Sequence, residues 1–95
     1  MQAVKLITWN PEKNKLLRKE RNISFEDVVY HIAVGGILDT LEHPNQTRYS
    51  GQKIHVIEVE GYVYLIPFIE SEDVVFLKTI IPSRKATKTY LGGPK

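Results

Sequence analysis

Cationic side chains that could bind a polyanion are concentrated in two segments of the chain. Residues 10–21 carry five lysine or arginine residues, the segment from residue 78 onward carries five more, and no acid follows Asp73. Residues 26–73 carry nine of the eleven acids. We therefore expect an electrostatically two-sided molecule if the ends of the chain meet, with a basic face that suits a polyanion.

The two basic segments offer different ways to hold a phosphate. Lys15, Arg18 and Lys19 recur at helical spacing and can line one stripe of a helix, although such a stripe is usually only a solvated face. Ser83 and Arg84 open a predicted helix directly after a strand, so a hydroxyl, helix N–H groups and a guanidinium converge there. Arg84 is therefore the first candidate for binding the scissile phosphate.

Two histidines could transfer protons in RNA cleavage. Cleavage without a metal needs a base near the ribose 2′-OH and cations that stabilise the charge developing on the phosphate. His43 lies in a predicted loop and His55 on a predicted strand, and histidine titrates near neutrality. An exposed histidine is more often simply solvated, so both are secondary candidates.

Several other classes of function are disfavoured. The chain lacks a P-loop and the GxGxxG, HExxH and GxSxG motifs, which removes the common nucleotide-binding and hydrolase interpretations. It has no cysteine and three scattered histidines, so we predict no metal site and no cofactor. The first nine residues are too short for a signal peptide and no later apolar run reaches the length of a membrane span, so we expect a cytoplasmic protein.

The order of patterns predicts a single α+β domain over residues 1–95. Val4–Trp9 is β-rich and runs into a helix capped by Asn10, which extends from Pro11 to about Glu20. Ser24 to Asp27 has the form of a capping box, and apolar residues at helical spacing follow it until Gly35 and Gly36 end the second helix.

The second half of the chain predicts a sheet. An edge strand over Ile37–Glu42 and a loop over 43–51 precede three strands joined by short turns, which favours an antiparallel meander over Lys53–Glu60, Tyr62–Ile69 and Val74–Ile81. Pro67 removes one ladder donor and predicts a bulge or a strand end. Ser83 caps a short last helix from Arg84 to about Tyr90, and residues 92–95 form a frayed, flexible tail.

Three sequence blocks in this order resemble the BrnT family of bacterial type II toxin–antitoxin ribonuclease toxins. Members typically read W-D-P-x-K near the start, K-H-G-[VI]-[ST]-F-E-[ED] before the second helix and [IV]-[IV]-S-A-R-[RK]-A-[ST] before the last. The matching blocks here are Thr8–Asn14, Lys19–Asp27 and Ile80–Thr87. The chain departs from the pattern at four places: Asn10 stands for aspartate, Glu20 for histidine, Asn22 for glycine, and Pro82 where small residues are usual.

The resemblance implies a RelE-like fold, with a central antiparallel sheet formed by the N-terminal strand and the meander and packed by two N-terminal helices. It also implies a ribonuclease that inhibits translation and is neutralised by a ribbon–helix–helix antitoxin, which commonly binds operator DNA for the pair. Carried over by position, Lys19, Lys53 and Arg84 are the implied active surface. RNA, the antitoxin and, through the antitoxin, operator DNA are the implied partners.

Three function classes remain open from the sequence. A ribonuclease toxin predicts that basic residues from both ends meet on one concave face, with an RNA-binding surface of Lys15, Arg18, Arg21, Arg48, Lys85, Lys88 and Tyr90. A non-catalytic module would bind RNA or a small DNA-binding partner through the same face without a poised base. A small metabolic or structural domain would scatter its cations over all faces. The discriminating feature is whether His43, His55 or Tyr90 reaches Arg84.

Overall fold

A computed structural model describes residues 5–92 of the chain. Within that range it contains three helices and six strands, which confirms the predicted α+β class. The predicted strand start at Val4 and the predicted frayed tail at residues 93–95 lie outside the described residues. In chain order the elements are β1 (Leu6–Trp9), α1 (Pro11–Arg21), α2 (Phe25–Ala33), β2 (Ile37–Glu42), β3 (Gln52–Val59), β4 (Tyr62–Glu70), β5 (Val74–Leu77), β6 (Ile81–Pro82) and α3 (Arg84–Leu91).

The strands form one mixed sheet in the order β1-β5-β4-β3-β2, with β6 paired to β4. The prediction of a purely antiparallel sheet is wrong at one edge, because β1 lies parallel to β5 while the other pairs are antiparallel. Short turns force antiparallel pairing only between consecutive strands, and both N-terminal helices separate β1 from the rest of the sheet. The predicted edge strand β2 is confirmed, and it forms the opposite edge.

The third strand of the predicted meander is broken into two. The prediction of one strand over Val74–Ile81 is wrong, since β5 ends at Leu77 and the chain pairs with β4 again only at Ile81. The backbone N–H of Lys78 donates to the carbonyl of Pro67 over 2.8 Å, but proline has no N–H to return the bond. Pro67 therefore ends the pairing of β5 with β4, while β4 itself continues through Pro67.

Local capping explains where the two N-terminal helices begin. The Asn10 side chain accepts hydrogen bonds from the backbone N–H groups of Glu12 and Lys13, and Pro11 follows at the first helical position. Ser24 and Asp27 exchange the two bonds of a capping box. Both predicted helix starts are confirmed.

The two faces of the sheet carry different helices. The inner face, defined by Ile57, Ile66, Phe68 and Leu77, packs against Leu17 of α1 and Phe25 and Val28 of α2 to form the main core. The outer face carries Val56 and Leu65, which pair with each other across β3 and β4. Helix α3 packs over them, since Ala86 and Tyr90 line a groove together with Val56 and Leu65. Helices α1 and α3 therefore cover opposite faces.

A buried hydroxyl attaches α3 to the sheet. The Thr87 side chain is fully buried, and its Oγ1 accepts a hydrogen bond from the backbone N–H of Val63 over 2.9 Å. The Ser83 hydroxyl caps the helix by accepting from the N–H of Ala86, as predicted. None of the helices within residues 5–92 has both the length and the apolar character needed to cross a membrane.

Candidate active site on the inner face of the sheet

A polar cluster occupies the end of the inner face at which β3 begins. Lys53 and His55 alternate with Ile54, so both side chains project from one face of β3. Lys53 pairs with Phe68, and His55 pairs with Ile66 on one side and with Thr40 on the other. We call this group the sheet-face cluster and define it as Lys5, Thr40, Lys53, His55, Phe68 and Glu70.

His55 is held in a fixed position within the sheet-face cluster. Its ring is half-buried and stacks on Phe68, with 4.1 Å between centroids and 17° between planes. The Thr40 Oγ1 lies 2.9 Å from the His55 Nδ1 in a hydrogen bond. These two contacts orient the ring. In the tautomer in which Nδ1–H donates to the Thr40 Oγ1, Nε2 carries the lone pair that can accept a proton from a bound substrate.

Burial changes the pKa of the His55 imidazole. Desolvation lowers the pKa of His55 below its usual value, the charge of Glu70 opposes that shift, and the charge of Lys53 reinforces it. A lowered pKa makes the ring neutral at physiological pH. A neutral, oriented imidazole can accept a proton, which is the property required of a general base.

The charged members of the sheet-face cluster divide into a pair and a single cation. The Lys5 Nζ donates to the Glu70 Oε2 over 2.7 Å, and this hydrogen bond lowers the pKa of Glu70. Lys53 is exposed, and among residues 5–92 it forms no ion pair. Lys53 is thus available to an anionic group that approaches His55.

Lys19 and Arg84, implied by the resemblance to be active, lie on helices that cover opposite faces. Both side chains are exposed, Lys19 on α1 and Arg84 at the first position of α3. The two basic segments approach each other at the β6 edge, where the Arg21 Nη1 donates to the carbonyl of Ile80 over 2.9 Å. The structure thus brings Lys53 to His55 but keeps α3, with Arg84, on the other side of the sheet.

The remaining predicted RNA-binding residues have varied surroundings. On α1, Arg18 forms an ion pair with Glu26 over 3.2 Å, while Lys15 and Lys19 line one shallow surface depression. On α3, Lys85 borders the groove under the helix and Lys88 lies in the last turn. These cations on α1 and α3 therefore lie on helices that cover opposite faces of the sheet.

The loop between β2 and β3 contains the other histidine candidate. The His43 Nδ1 accepts a hydrogen bond from the backbone N–H of Asn45, and its ring lies 4.2 Å from that of Tyr49. The Arg48 guanidinium lies 5.5 Å from the centre of the same tyrosine ring. These contacts give His43 and Arg48 roles in holding the loop together.

Tyr90 is engaged with the edge strand. Its hydroxyl donates to the Asp39 Oδ2 over 2.8 Å, and this bond raises the pKa of Tyr90. Its phenol therefore stays protonated at neutral pH and does not act as a base. Tyr90 lies six residues after Arg84, about 9 Å along the helix axis, and His55 lies on the inner face, away from α3.

Sequence reasoning missed four members of the sheet-face cluster: Lys5, Thr40, Phe68 and Glu70. Strand alternation alone places Lys53 and His55 on one face, but finding Thr40 and Phe68 requires the register of the neighbouring strands. Lys5 and Glu70 are 65 residues apart in the chain. Over residues 5–92, no three histidine, aspartate or glutamate side chains are grouped so as to hold a metal ion.

Comparisons with known proteins found no relative of this chain. No family model, no curated protein and no solved structure matches this chain.

Proposed function

We propose that this protein is a metal-independent endoribonuclease with a RelE-like fold, the toxin of a type II toxin–antitoxin pair. The observation that carries the proposal is the placement of a half-buried His55, whose pKa is lowered by burial, beside an exposed Lys53 on one face of the sheet. A base and a cation in reach of one phosphodiester are the two groups that such cleavage needs.

The chemistry follows from these two side chains. The His55 Nε2 takes the proton of a ribose 2′-OH, and the 2′-oxygen attacks the adjacent phosphorus. The bond from phosphorus to the 5′-oxygen breaks, leaving a 2′,3′-cyclic phosphate and a 5′-hydroxyl whose proton comes from solvent. Lys53 stabilises the additional negative charge on the phosphate during the attack.

The cations on α1 and α3 hold the RNA outside the reacting centre. Lys15 and Lys19 on one side and Arg84, Lys85 and Lys88 on the other are exposed and can contact successive phosphates. In this proposal Lys19 and Arg84 bind RNA and do not react with it. Their helices cover opposite faces, so the RNA would pass around an edge of the sheet.

The biological setting follows the motif resemblance. The substrate would be mRNA, free or on the ribosome, in the cytoplasm. A ribbon–helix–helix antitoxin would neutralise the toxin, and operator DNA would be bound only through that antitoxin. This setting rests on the blocks at Thr8–Asn14, Lys19–Asp27 and Ile80–Thr87.

A second candidate is a non-catalytic module that binds RNA or an antitoxin-like partner. The observation that favours it is the separation of Lys19 and Arg84, since their helices pack on opposite faces of the sheet. A docking protein needs cations on its surface but no oriented base. The two candidates differ in what they require of His55.

Inducible expression in a bacterium tests the proposal, with growth and bulk RNA integrity followed over time. The unmodified chain should arrest growth and degrade RNA. His55→Gln and Lys53→Gln should each slow cleavage by purified protein in EDTA by about 100-fold or more. Lys19→Ala and Arg84→Ala should instead weaken RNA binding and make it less sensitive to salt.

His43→Gln is the matched control, because that histidine lies in the loop and not in the sheet-face cluster. Circular dichroism and thermal unfolding would establish that every variant is folded. Full activity in folded His55→Gln would remove this site from the mechanism. Normal growth and intact RNA with soluble wild-type protein would favour the binding module.

A further inference from the structure

A cavity lies on the inner face of the sheet, at the opposite end from the sheet-face cluster. It has a volume of about 350 Å³, is open to solvent, and is bounded by the junction between α1 and α2 and by the turn between β3 and β4. Its polar lining comes from Asn22, Asp27, His31, Glu60, Tyr62 and Tyr64. Ile23 and Val59 supply its apolar surface. None of these side chains takes part in the proposed cleavage.

Two segments with left-handed backbone conformation border this cavity. Among residues 5–92, the non-glycine residues with positive φ are Asn22, at 54°, and Glu60, at 51°. Both line the cavity. Asparagine tolerates the left-handed region, but glutamate rarely adopts it. Each conformation has a local cause, because Asn22 ends α1 and Glu60 with Gly61 forms a two-residue turn whose positions both require positive φ. This turn places the Glu60 carboxylate at the cavity.

The lining defines the charge of a suitable ligand. Asp27 and Glu60 contribute two carboxylates, and the lining includes no lysine or arginine. Asp27 is held in place because its Oδ2 accepts a hydrogen bond from the backbone N–H of Ser24 over 2.9 Å. Carboxylates accept hydrogen bonds and repel phosphate. The lining therefore suits a ligand group that presents N–H donors and disfavours an anion.

Two tyrosine side chains in the cavity wall define the shape of a suitable ligand. The rings of Tyr62 and Tyr64 lie 5.6 Å apart at 64° to each other, so they offer a ring face and a ring edge to a planar group. Burial raises the pKa of Tyr64, so its phenol remains a hydrogen-bond donor at neutral pH. A planar, N–H-rich ring that stacks on tyrosine has the character of an RNA base.

We infer that this cavity binds a guanine base of the RNA substrate. Guanine presents an adjacent ring N–H and amino group that a single carboxylate can accept together, whereas adenine, cytosine and uracil lack this pair of donors. Glu60 accepts the two donors, and the Asn22 amide or the Tyr64 hydroxyl donates to the guanine carbonyl oxygen. The inference rests on the proposed function, because it names the base that positions RNA for cleavage.

The position of the cavity is compatible with that role. Val59, Tyr62 and Tyr64 lie on the same sheet face as His55. Val59 follows His55 by four residues on β3, a distance of about 13 Å at the usual rise of a strand. A short stretch of single-stranded RNA spans this distance, so a bound guanine would lie close to the cleaved bond and specify it.

Titration of the purified protein with the four nucleoside 5′-monophosphates, followed by amide chemical shifts, tests the inference. GMP should bind at least about ten times more tightly than AMP, CMP or UMP, since the other bases lack the pair of donors that the Glu60 carboxylate accepts. The shifts should concentrate at residues 22–31 and 59–64. Glu60→Gln should weaken GMP binding at least about tenfold, while Glu72→Gln, in the turn before β5, should leave it unchanged.

Glu60 is exposed in a turn, so its substitution should not unfold the protein. Equal binding of the four nucleotides, or GMP binding unchanged in Glu60→Gln, would overturn the inference. So would tighter binding of N-acetyl-arginine amide than of GMP, because the cavity would then take the guanidinium of a protein partner.

Mononucleotides contain no scissile bond, so this binding test is independent of cleavage. GMP-selective binding by a protein that leaves RNA intact would contradict the ribonuclease proposal and support the guanine site. RNA cleavage that depends on His55, without selective binding of GMP, would support the ribonuclease proposal and overturn the guanine site. If both hold, cleavage products should share a guanine at a constant position relative to the cut.

Discussion

Thr40 and His55 face each other across the β2–β3 pair, and the Oγ1 of Thr40 lies 2.9 Å from the Nδ1 of His55. Thr40 belongs to the edge strand and His55 to its only antiparallel neighbour in the described sheet. This contact selects which ring nitrogen faces outward. It makes the edge strand a positioning element for the imidazole.

Thr40→Val should therefore disturb the tautomer of His55 without unfolding the chain, because Thr40 is exposed. We expect the nitrogen chemical shifts of the His55 ring to show a changed Nδ1/Nε2 ratio, and the rate of RNA cleavage to fall by about tenfold or more. Thr40→Ser retains the hydroxyl and should behave like the unmodified protein. An unchanged tautomer in Thr40→Val would contradict the positioning role.

The lowered pKa of His55 predicts how stability depends on pH. Burial holds the folded-state pKa below the ordinary value of 6.5, so the unfolded chain binds this proton more readily. The stabilising contribution is complete above about pH 6.5 and is lost as the pH falls through the folded-state pKa. Thermal unfolding temperatures measured from pH 7.5 to 5 should therefore decline on acidification.

In His55→Gln the unfolding temperature should depend less on pH than in the unmodified protein, even if the substitution changes the unfolding temperature at pH 7.5. His43→Gln should keep the slope of the unmodified protein. The carboxylates of Glu26 and Glu70, whose pKa values are also lowered, would contribute only below about pH 4.5. Identical slopes in His55→Gln and the unmodified protein would show that His55 is not shielded from solvent.

The buried Thr87 hydroxyl predicts a structural role for the last motif block. Thr87→Val should leave the Val63 N–H without a partner and lower the free energy of unfolding by about 1–3 kcal/mol. Thr87→Ser should recover most of that loss. Thr89→Val, on the exposed side of the same helix, is the control and should change stability by about 0.5 kcal/mol or less. Urea denaturation of the three variants measures these differences.

Asn14 connects the two N-terminal helices and gives a fourth prediction. Its Oδ1 accepts from the backbone N–H of Phe25 and its Nδ2 donates to Glu26, each over 2.7 Å. Asn14→Ala should cost about 1–3 kcal/mol of stability by urea denaturation, and the pKa of Glu26 should rise, since this hydrogen bond is the main cause of its lowering. Lys15→Ala, exposed on the same helix, should cost far less. Equal effects of the two substitutions would contradict this role for Asn14.

The sequence by itself determined the local elements. Asn10, Ser24 and Ser83 cap the helices that they were predicted to cap, because capping depends on side chains within three residues of the helix start. The alternation of side chains along a strand is also sufficient to place Lys53 and His55 on one face, although this pair was not predicted. The cavity beside Glu60 had no such signal, since its lining joins residues 22–31 to residues 59–64.

Only the tertiary structure decided the pairing of distant elements. The parallel contact of β1 with β5 and the assignment of α1 and α3 to opposite faces depend on contacts between residues far apart in the chain. Those contacts also created the active-site candidate. His55 acquires its neutral, oriented ring from Thr40 and Phe68, because burial and strand register exist only after the sheet has assembled.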